Sequence, residues 1–184
     1  LFRSLLRHEG TTNVYTYDAH GNMTSMPHLS SMTWNSSDML RSATNGTFTS
    51  YYSYNAAGDR VRKVVDNGIT LSTATNSIRY QYDNHLGSAS LELDQTAAII
   101  SYEEYHPFGT TSYRSGRTET EVSQKRYKYV GKERDEETGL YYYGARYYDP
   151  RISLWISTDV AQGKYPNVST YTYCLDNPII LIDS

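Results

Sequence analysis

The chain has 184 residues, a length typical of one domain, and 38% of them are hydrophobic. Its 20 acidic residues outnumber its 17 basic residues, so the net charge of -3 provides no general basic surface for phosphates, and we expect no nucleic-acid partner. Its 20 tyrosines exclude an ordinary disordered tail, and its longest apolar runs, at 97–100 and 179–182, are far shorter than the ~20 residues that membrane insertion requires.

A short aromatic unit recurs through the first half of the chain. It reads YTYDAHGN at 15–22, YSYNAAGD at 52–59 and YQYDNHLG at 80–87, with a weaker copy, MTWN, at 32–35. A spacing of roughly twenty residues suits one β-hairpin per repeat. In each full copy, an Asp or Asn followed by Gly supplies the Asx turn and the positive φ of a tight reversal. The repeats therefore predict successive antiparallel hairpins.

The second half of the chain continues the β pattern. Residues 111–126 are polar and turn-like, so they predict a loop between two hairpins. The mixed-charge run at 132–137 predicts a solvated hairpin tip. In the segment LYYYGARYY, at 140–148, tyrosines occupy both faces of an alternating strand pattern. We find no convincing amphipathic helix of useful length, so the predicted fold class is all-β.

Tyrosine is the residue expected to hold the hairpins together. A lone hairpin is marginally stable in water, so the repeats must stack on one another. A tyrosine ring offers an apolar face to the next repeat and a hydroxyl that reaches a polar partner. We therefore predict a spiral of stacked, sequential antiparallel hairpins in which four motif tyrosines are at least half buried: Tyr82, Tyr129, Tyr143 and Tyr147. The alternative is a cluster of exposed rings that binds cell-surface glycans.

These motifs resemble two parts of Rhs proteins. The early units are similar to tyrosine-aspartate (YD) repeats, and the later segments are similar to the Rhs repeat-associated core domain that closes such arrays. The matching segments are 15–24, 80–88, 105–109, 127–135, 138–150 and 171–178, and the strongest match is TGLYYYGARYYDP at 138–150. The resemblance implies YD-like repeats over residues 1–79 and a core domain over residues 80–184.

The Rhs resemblance implies a structural function. In that family, a β-spiral builds a hollow shell around a toxic or effector C-terminal polypeptide, and the core domain forms its closing end. The implied partners are the rest of the shell and a C-terminal toxin polypeptide. The implied location is secreted or at the cell surface, as part of a larger polymorphic toxin, and the absence of a starting Met makes a fragment of such a protein the expectation.

The resemblance also implies a second function, that of an aspartyl autoprotease. Family members that process themselves have two Asp-Pro motifs about two dozen residues apart, helped by an Arg in a Gly-Arg-aromatic segment. The matching catalytic candidates here are Asp159 and Asp183, but Val160 and Ser184 stand where the prolines are expected. Such chemistry needs two carboxylates close enough to share one proton.

The arginine of this protease pattern is missing from its usual place. Ser153 and Leu154 stand at the Gly-Arg positions, and a leucine cannot make the hydrogen bonds with which a guanidinium orients a carboxylate. The family's scissile bond lies beyond the second aspartate, so we expect the chain as it stands to contain no bond for its own pair to cut. The sequence thus favours two remnant acidic residues without a cation over an active protease.

No other pattern in the sequence supports an enzyme. The five histidines lack zinc-ligand spacing, so neither a metal nor another cofactor is expected. The single cysteine, Cys174, excludes an internal disulfide and is predicted to be a small buried hydrophobic residue. Three hypotheses remain: a structural shell module, an aspartyl autoprotease and an aromatic glycan-binding surface.

Overall fold

The computed structural model describes residues 3–8, 11–66, 78–118, 125–164 and 166–183. In this part of the chain, the backbone forms fifteen short β-strands and three single-turn 3-10 helices. Ser184, at one of the expected proline positions, lies outside the described residues.

The strands have two to seven residues each. In chain order they are β1 Arg3–His8, β2 Thr11–Tyr17, β3 Met23–Ser25, β4 Ser31–Trp34, β5 Leu40–Thr44, β6 Thr49–Tyr54, β7 Arg60–Asp66, β8 Tyr80–Asp83, β9 Ala89–Leu93, β10 Ile99–Tyr105, β11 Thr111–Gly116, β12 Glu133–Asp135, β13 Leu140–Tyr142, β14 Tyr147–Asp149 and β15 Leu154–Trp155. The 3-10 turns span Tyr129–Gly131, Gln162–Lys164 and Cys174–Asp176.

Within each sheet, strands that follow each other in sequence pair with each other, and every described pairing is antiparallel. They form four sheets with the orders β1-β2-β3, β4-β5-β6-β7, β11-β10-β9-β8 and β12-β13-β14-β15. The predicted all-β fold of sequential antiparallel hairpins is therefore confirmed. The expected loop at 111–126 is wrong for Thr111–Gly116, which pairs with β10 as strand β11. Residues 119–124 of that segment lie outside the described residues.

Local turn chemistry closes the hairpins as the repeats predict. Between β8 and β9, the Asn84 Oδ1 atom accepts hydrogen bonds from the backbone N–H groups of Leu86 and Ser88, each at 2.9 Å. Gly87 has a φ of +77°, in the left-handed region that glycine adopts without steric cost. The same pattern of backbone N–H groups bonded to an amide oxygen recurs at Asn55. Each such turn depends on a few adjacent residues, so the sequence motif specifies it.

Among the residues that the structure describes, two clusters of buried side chains form the hydrophobic core. The first consists of Tyr15, Met23, Met26, Leu29, Met32, Leu40, Ala43, Tyr52, Leu140, Tyr147 and Ile156. The second is mostly aromatic and consists of Tyr129, Val130, Tyr141, Tyr148, Trp155, Tyr173 and Cys174. The predicted burial of Cys174 is confirmed. Residues from both 1–79 and 80–184 share the first cluster, and the boundary between these two segments stays a prediction.

Three of the four tyrosines predicted to be buried lie in or against these clusters. Tyr129 and Tyr147 are each 2% exposed, and Tyr143 is partly buried against the aromatic cluster. The prediction is wrong for Tyr82, which is 54% exposed. Tyr82 lies on β8, the edge strand of its sheet, and all four residues of that strand are exposed. An edge strand has a neighbour on one side only, so its rings lack the cover that a central strand receives.

The charged run at 132–137 differs from the solvated tip expected of it. Asp135 is fully buried and accepts hydrogen bonds from Lys63 Nζ at 3.0 Å, Arg60 Nη1 at 3.1 Å and the Tyr52 hydroxyl at 2.7 Å. A buried carboxylate needs partners of this kind, because burial without them is costly. The run therefore anchors β12 to β6 and β7 through a buried ion cluster.

Candidate active site

Asp159 and Asp183 lie on two separate loops. Asp159 follows β15, Asp183 follows the last 3-10 turn, and their side chains are 32% and 34% exposed. The Asp159 Oδ1 atom accepts a hydrogen bond from the Ala161 N–H at 2.7 Å, and the Asp159 N–H donates to Thr170 Oγ1. These bonds hold the Asp159 carboxylate in a defined turn that is open to solvent.

Arg146 brings the two aspartates together. Its Nη2 atom lies 3.0 Å from Oδ2 of Asp159 and 3.9 Å from Oδ2 of Asp183. The expectation that the pair lacks a cation is therefore wrong, because Arg146, in the turn between β13 and β14, supplies one. Leu154, at the position where the family pattern has its arginine, instead lies in β15 and pairs with Asp149 of β14.

Two contacts hold the Arg146 guanidinium in place. Its central carbon lies 4.1 Å from the centroid of the Trp155 ring, a cation–π contact, and its Nη1 atom donates to the Thr170 carbonyl oxygen at 3.1 Å. Trp155 is buried and its Nε1 atom donates to the Thr172 carbonyl oxygen at 3.1 Å. Burial lowers the pKa of Arg146, while both aspartates raise it. The arginine is thus fixed on a rigid aromatic platform.

The sequence carries a signal for Arg146 that motif matching misses. Arg146 shares one face of the alternating pattern with Tyr142 and Tyr148 in the aromatic segment LYYYGARYY, of which Tyr143 and Tyr147 are predicted to be buried. A cation within a buried aromatic strand needs a partner, because an unpaired buried charge is costly. That reasoning indicates a paired arginine, but only the fold identifies Asp159 and Asp183 as the carboxylates that meet it.

The two carboxylates have different surroundings. Burial raises the pKa of Asp183, and the negative charge of Asp159 raises it further, while Arg146 and Lys132 lower it. Asp183 is therefore suited to hold a proton. Asp159 receives the shorter guanidinium contact, at 3.0 Å against 3.9 Å for Asp183. Acid–base hydrolysis uses two carboxyl groups held in unlike surroundings.

The aromatic cluster forms a rigid floor beneath these charged groups. The rings of Tyr148 and Tyr173 stack with centroids 4.1 Å apart, and Trp155 meets Tyr173 edge-on at 5.5 Å. The hydroxyls of Tyr143 and Tyr173 lie 2.7 Å apart. Since Trp155 carries Arg146, this packing determines where the guanidinium stands.

Two cavities meet at the triad formed by Arg146, Asp159 and Asp183, because all three residues line both. The larger has a volume of about 480 Å³ and includes four aliphatic side chains: Val168, Leu175, Leu181 and Ile182. The smaller has a volume of about 260 Å³ and includes four polar side chains: Ser37, Asp38, Ser157 and Thr158. Both linings are mixed, since the larger cavity also includes Gln162, Ser169, Thr170 and Thr172, and the smaller also includes Tyr143, Ala145, Trp155 and Val160.

Other kinds of site have less support. Among the described residues, no group of three or more His, Cys, Asp or Glu side chains is placed to hold a metal ion. No helix in the described part of the chain is long and apolar enough to cross a membrane. Large exposed rings do occur, each about half exposed, at Tyr51, Tyr80, Tyr82, Tyr113 and Tyr127. Tyr80 and Tyr82 share one face of β8, since side chains two apart on a strand point the same way.

The chain is similar to parts of several known proteins, although no family model matches it. It is 46% identical over 116 residues to the toxin subunit YenC1 of Yersinia entomophaga, covering 63% of this chain and 12% of that protein. It is 30% identical to the tRNA(Glu)-specific nuclease WapA of Bacillus subtilis subsp. natto, covering 91% of this chain and 9% of that protein.

The chain is also similar to a solved structure of a Tc toxin. The Photorhabdus luminescens Tc holotoxin pore, with a mutated TccC3, matches 97% of this chain and 9% of that chain at 33% identity, with a TM-score of 0.55. The homologues are thus Tc toxin subunits and WapA nucleases, and this chain spans about a tenth of their length.

Proposed function

We propose that this chain, whose homologues belong to Rhs-type toxins, is a structural module at the closing end of a toxin shell. In this role it encloses or presents an effector polypeptide joined to its C-terminal side. The observation that carries the proposal is the match of 97% of the chain to 9% of a Tc toxin chain, which supports a segment that works with a much larger protein. Its partners are then the rest of the shell and the effector, and its location is secreted or at the cell surface.

The packing supports a wall built from successive units. Each sheet consists of neighbouring hairpins, and buried side chains from sheets far apart in sequence share one core. Repeats of this kind gain stability from their neighbours, and terminal repeats need further repeats or a cap. Exposed edge strands such as β8 suit contact with the next part of such a wall.

Protease protection in the full-length protein tests the shell. We expect cryo-electron microscopy to show a closed particle, and the polypeptide downstream of residue 183 to resist thermolysin for as long as the particle is intact. Tyr148→Ala, which removes a fully buried ring, should open the particle and expose the downstream polypeptide. Tyr51→Ala, at a half-exposed ring of the inner strand β6, is the matched control and should leave protection unchanged. An open particle with a freely digested downstream polypeptide would overturn the proposal.

The triad favours a second function for the same module, autoproteolysis that frees the effector. Arg146 places one guanidinium nitrogen between the Asp159 and Asp183 carboxylates, which supplies the cation that the sequence pattern seemed to lack. Val160, in place of the usual proline, is 96% exposed, so no packing in the described chain depends on that side chain.

The proposed reaction is the hydrolysis of one peptide bond. Asp159 accepts a proton from a water molecule as the water oxygen bonds to the carbonyl carbon, and Asp183 donates its proton to the carbonyl oxygen. Asp159 then passes its proton to the nitrogen as the C–N bond of the resulting diol breaks, and a diol hydroxyl returns a proton to Asp183, leaving a carboxylic acid and an amine. Arg146 complements the negative charge of Asp159 and keeps the two carboxylates close.

Mass spectrometry of the full-length protein tests this reaction. We expect a discrete C-terminal product that disappears in Asp159→Asn and in Asp183→Asn. Asp176→Asn is the matched control, because Asp176 is exposed on the neighbouring turn and does not line either cavity. An uncleaved protein, or cleavage that survives both substitutions, would leave the module as a shell segment without catalysis.

The exposed rings support a third and weaker role, contact with cell-surface glycans. Tyr80 and Tyr82 on one face of β8 offer a small aromatic surface of the kind on which sugar rings stack. Glycan-array binding that is lost in a Tyr80→Ala and Tyr82→Ala double variant would support this role. Equal binding by both proteins, or none by either, would exclude this surface.

A further inference from the structure

We propose that Asn45 and Gly46 form a self-modifying site, at which the Gly46 main-chain nitrogen attacks the side-chain carbonyl carbon of Asn45. Asn45 is thereby converted, without another enzyme or a cofactor, into aspartate or its β-linked isomer isoaspartate. The site lies at the tip of the hairpin formed by β5 and β6, and neither residue lines the two cavities of the candidate active site. This inference does not depend on the proposed function.

The reaction consumes one water molecule and releases ammonia. In the first step, a C–N bond forms between the Gly46 nitrogen and Cγ of Asn45, the bond from Cγ to Nδ2 breaks, and the Gly46 amide proton leaves with Nδ2 as ammonia. The product is a cyclic imide. Water then adds to one of the two imide carbonyl carbons, and the C–N bond at that carbon breaks. Opening at the side-chain carbonyl gives aspartate, and opening at the main-chain carbonyl gives isoaspartate.

Two backbone donors already polarise the carbonyl group that is attacked. The Asn45 Oδ1 atom accepts hydrogen bonds from the N–H groups of Thr47 at 2.9 Å and Phe48 at 2.8 Å. As the Gly46 nitrogen bonds to Cγ, negative charge develops on Oδ1, so these preorganised donors stabilise the transition state. The Asn45 Nδ2 atom donates to the Glu137 carbonyl oxygen at 3.1 Å, which fixes the plane of the amide. The turn therefore supplies an oxyanion hole for its own side chain.

The nucleophile is equally accessible. Gly46 has no side chain, and no atom lies within 4 Å of the place where a Cβ would stand. Asn45, Gly46 and Thr47 are all exposed, so water reaches the imide and ammonia leaves freely. The Gly46 N–H donates to Thr44 Oγ1 at 3.2 Å, so a hydroxyl group lies next to the proton that must be removed. Nucleophile, proton acceptor and solvent thus meet at one turn.

Asn55 provides an internal comparison at the tip of the next hairpin, between β6 and β7. It is exposed, and its Oδ1 atom accepts hydrogen bonds from the N–H groups of Ala57 and Asp59, each at 2.9 Å. The residue that follows it is Ala56, whose methyl group shields the main-chain nitrogen. The two asparagines therefore have similar turns and differ in the residue that carries the nucleophile, so Asn45 is the one that reacts.

Conversion of Asn45 removes a tertiary contact. The bond from Asn45 Nδ2 to the Glu137 carbonyl oxygen joins the hairpin tip to the turn between β12 and β13. A carboxylate has only acceptor oxygens, so it cannot replace this bond and is repelled by the carbonyl oxygen. The Glu137 carboxylate adds negative charge nearby, although Lys63 Nζ lies 2.6 Å from it. The modified hairpin tip therefore separates from the β12–β13 turn.

Peptide mapping of the full-length protein, incubated in mildly alkaline buffer, tests the reaction. The tryptic fragment 42–60 carries both Asn45 and Asn55, and mass spectrometry with fragmentation locates each replacement of –NH2 by –OH. We expect Asn45 to convert at least about tenfold faster than Asn55, a difference of about 1.4 kcal/mol in barrier height. Conversion in guanidinium chloride should be slower, because unfolding removes the Thr47 and Phe48 donors. An unconverted Asn45, equal rates at the two asparagines, or faster conversion in the unfolded chain would overturn the proposal.

A substitution in the same protein tests the structural consequence. Asn45→Asp reproduces the aspartate product. Asn84→Asp is the matched control, because Asn84 forms its turn through its Oδ1 atom, which an aspartate also supplies. We expect hydrogen–deuterium exchange of residues 135–140 to accelerate about threefold or more in Asn45→Asp, the effect of losing one ordinary hydrogen bond, and to keep the wild-type rate in Asn84→Asp. Unchanged exchange in Asn45→Asp would overturn the proposed separation of the two turns.

Discussion

Arg60 and Asp135 form a buried ion pair that joins β7 to β12, with Arg60 Nη1 3.1 Å from Asp135 Oδ2. The same guanidinium reaches Glu133 at 2.6 Å, and Lys63 reaches the other Asp135 oxygen at 3.0 Å. Two strands separated by about seventy residues are thus joined through one carboxylate that has no exposed surface.

The first prediction concerns that carboxylate. Asp135→Asn removes the anion that Arg60 and Lys63 share, while Glu133 and Glu137 each stay 2.6 Å from one of these cations, so we expect the free energy of unfolding to fall by about 1–3 kcal/mol. Urea unfolding followed by circular dichroism measures the loss. Glu104→Gln, at an exposed residue of β10, is the control and should change stability by less than about 0.5 kcal/mol. A loss below about 1 kcal/mol in Asp135→Asn would mean that the cluster does not hold the sheets together.

The second prediction concerns the aromatic floor. Tyr173→Ala removes a fully buried ring that stacks on Tyr148, and such a change costs about 3–5 kcal/mol. We expect a lower thermal midpoint and a changed near-ultraviolet signal from Trp155, which contacts the same ring. Tyr113→Ala, at a ring that is 54% exposed, should change the midpoint little. If the two variants have the same thermal midpoint, Tyr173 does not make the contribution to the core that its packing indicates.

The third prediction concerns a buried aspartate and a partly buried histidine with opposite responses to acid. His28 Nε2 lies 3.5 Å from Asp149 Oδ2. Burial raises the pKa of Asp149 to about 6, with Arg134 and Arg151 opposing, and burial lowers the pKa of His28 to about 4, with Arg151 adding to this. Unfolded Asp and His titrate near 3.9 and 6.5. Between about pH 6 and 4, acidification therefore favours folding through Asp149 and unfolding through His28, and the two effects largely cancel.

Removing either partner should reveal the effect of the other. We expect His28→Gln to gain stability as the pH falls from 6 to 4, and Asp149→Asn to lose it, each with a slope approaching about 1.4 kcal/mol per pH unit for one proton. Urea unfolding at a series of pH values measures both slopes. His85→Gln, at an exposed histidine outside this pair, should keep the wild-type profile. Slopes of the same sign in the two variants would contradict the opposing titrations.

The hairpins could be predicted from the sequence because their causes are local. Asn84 and Gly87 specify a turn within five residues, and the Tyr-x-Tyr alternation sets the faces of the adjoining strands. Burial was less predictable, because Tyr82 matches the motif as well as Tyr129 does. Its exposure depends on the position of β8 at the edge of a sheet, which no local pattern encodes.

The candidate site likewise has one part that the sequence motif predicts and one part that depends on tertiary packing. The aspartates could be found by motif, because Asp159 and Asp183 keep the spacing of the family pattern. Arg146 could not be found by the same means, because its contact with them depends on how the β13–β14 turn, β15 and the final loop pack together. Trp155 provides the connection, since its ring lies under the guanidinium. The family pattern expects an arginine at position 154, where this chain has leucine. Tertiary packing instead brings Arg146 to the two carboxylates.

The last prediction decides whether Arg146 performs the role that the family pattern gives to an arginine near Leu154. In the full-length protein, we expect Arg146→Met to slow autoproteolysis by about 100- to 1,000-fold, the usual effect of removing one preorganised electrostatic group. Arg146→Lys keeps the charge and should restore part of the rate. Near-ultraviolet circular dichroism from Trp155 checks that the methionine side chain still covers the ring.

Two further measurements separate a role in the chemistry from a role in folding. Because Arg146 lowers the pKa of Asp183, its removal should raise that pKa and move the pH profile of the residual cleavage upward, whereas a loss of folded protein would lower the rate equally at every pH. Leu154→Arg should not increase the wild-type rate, since the carboxylates already have a cation. If cleavage instead requires Leu154→Arg and is unaffected by Arg146→Met, then the linear pattern is correct and Arg146 is only a structural ion-pair partner.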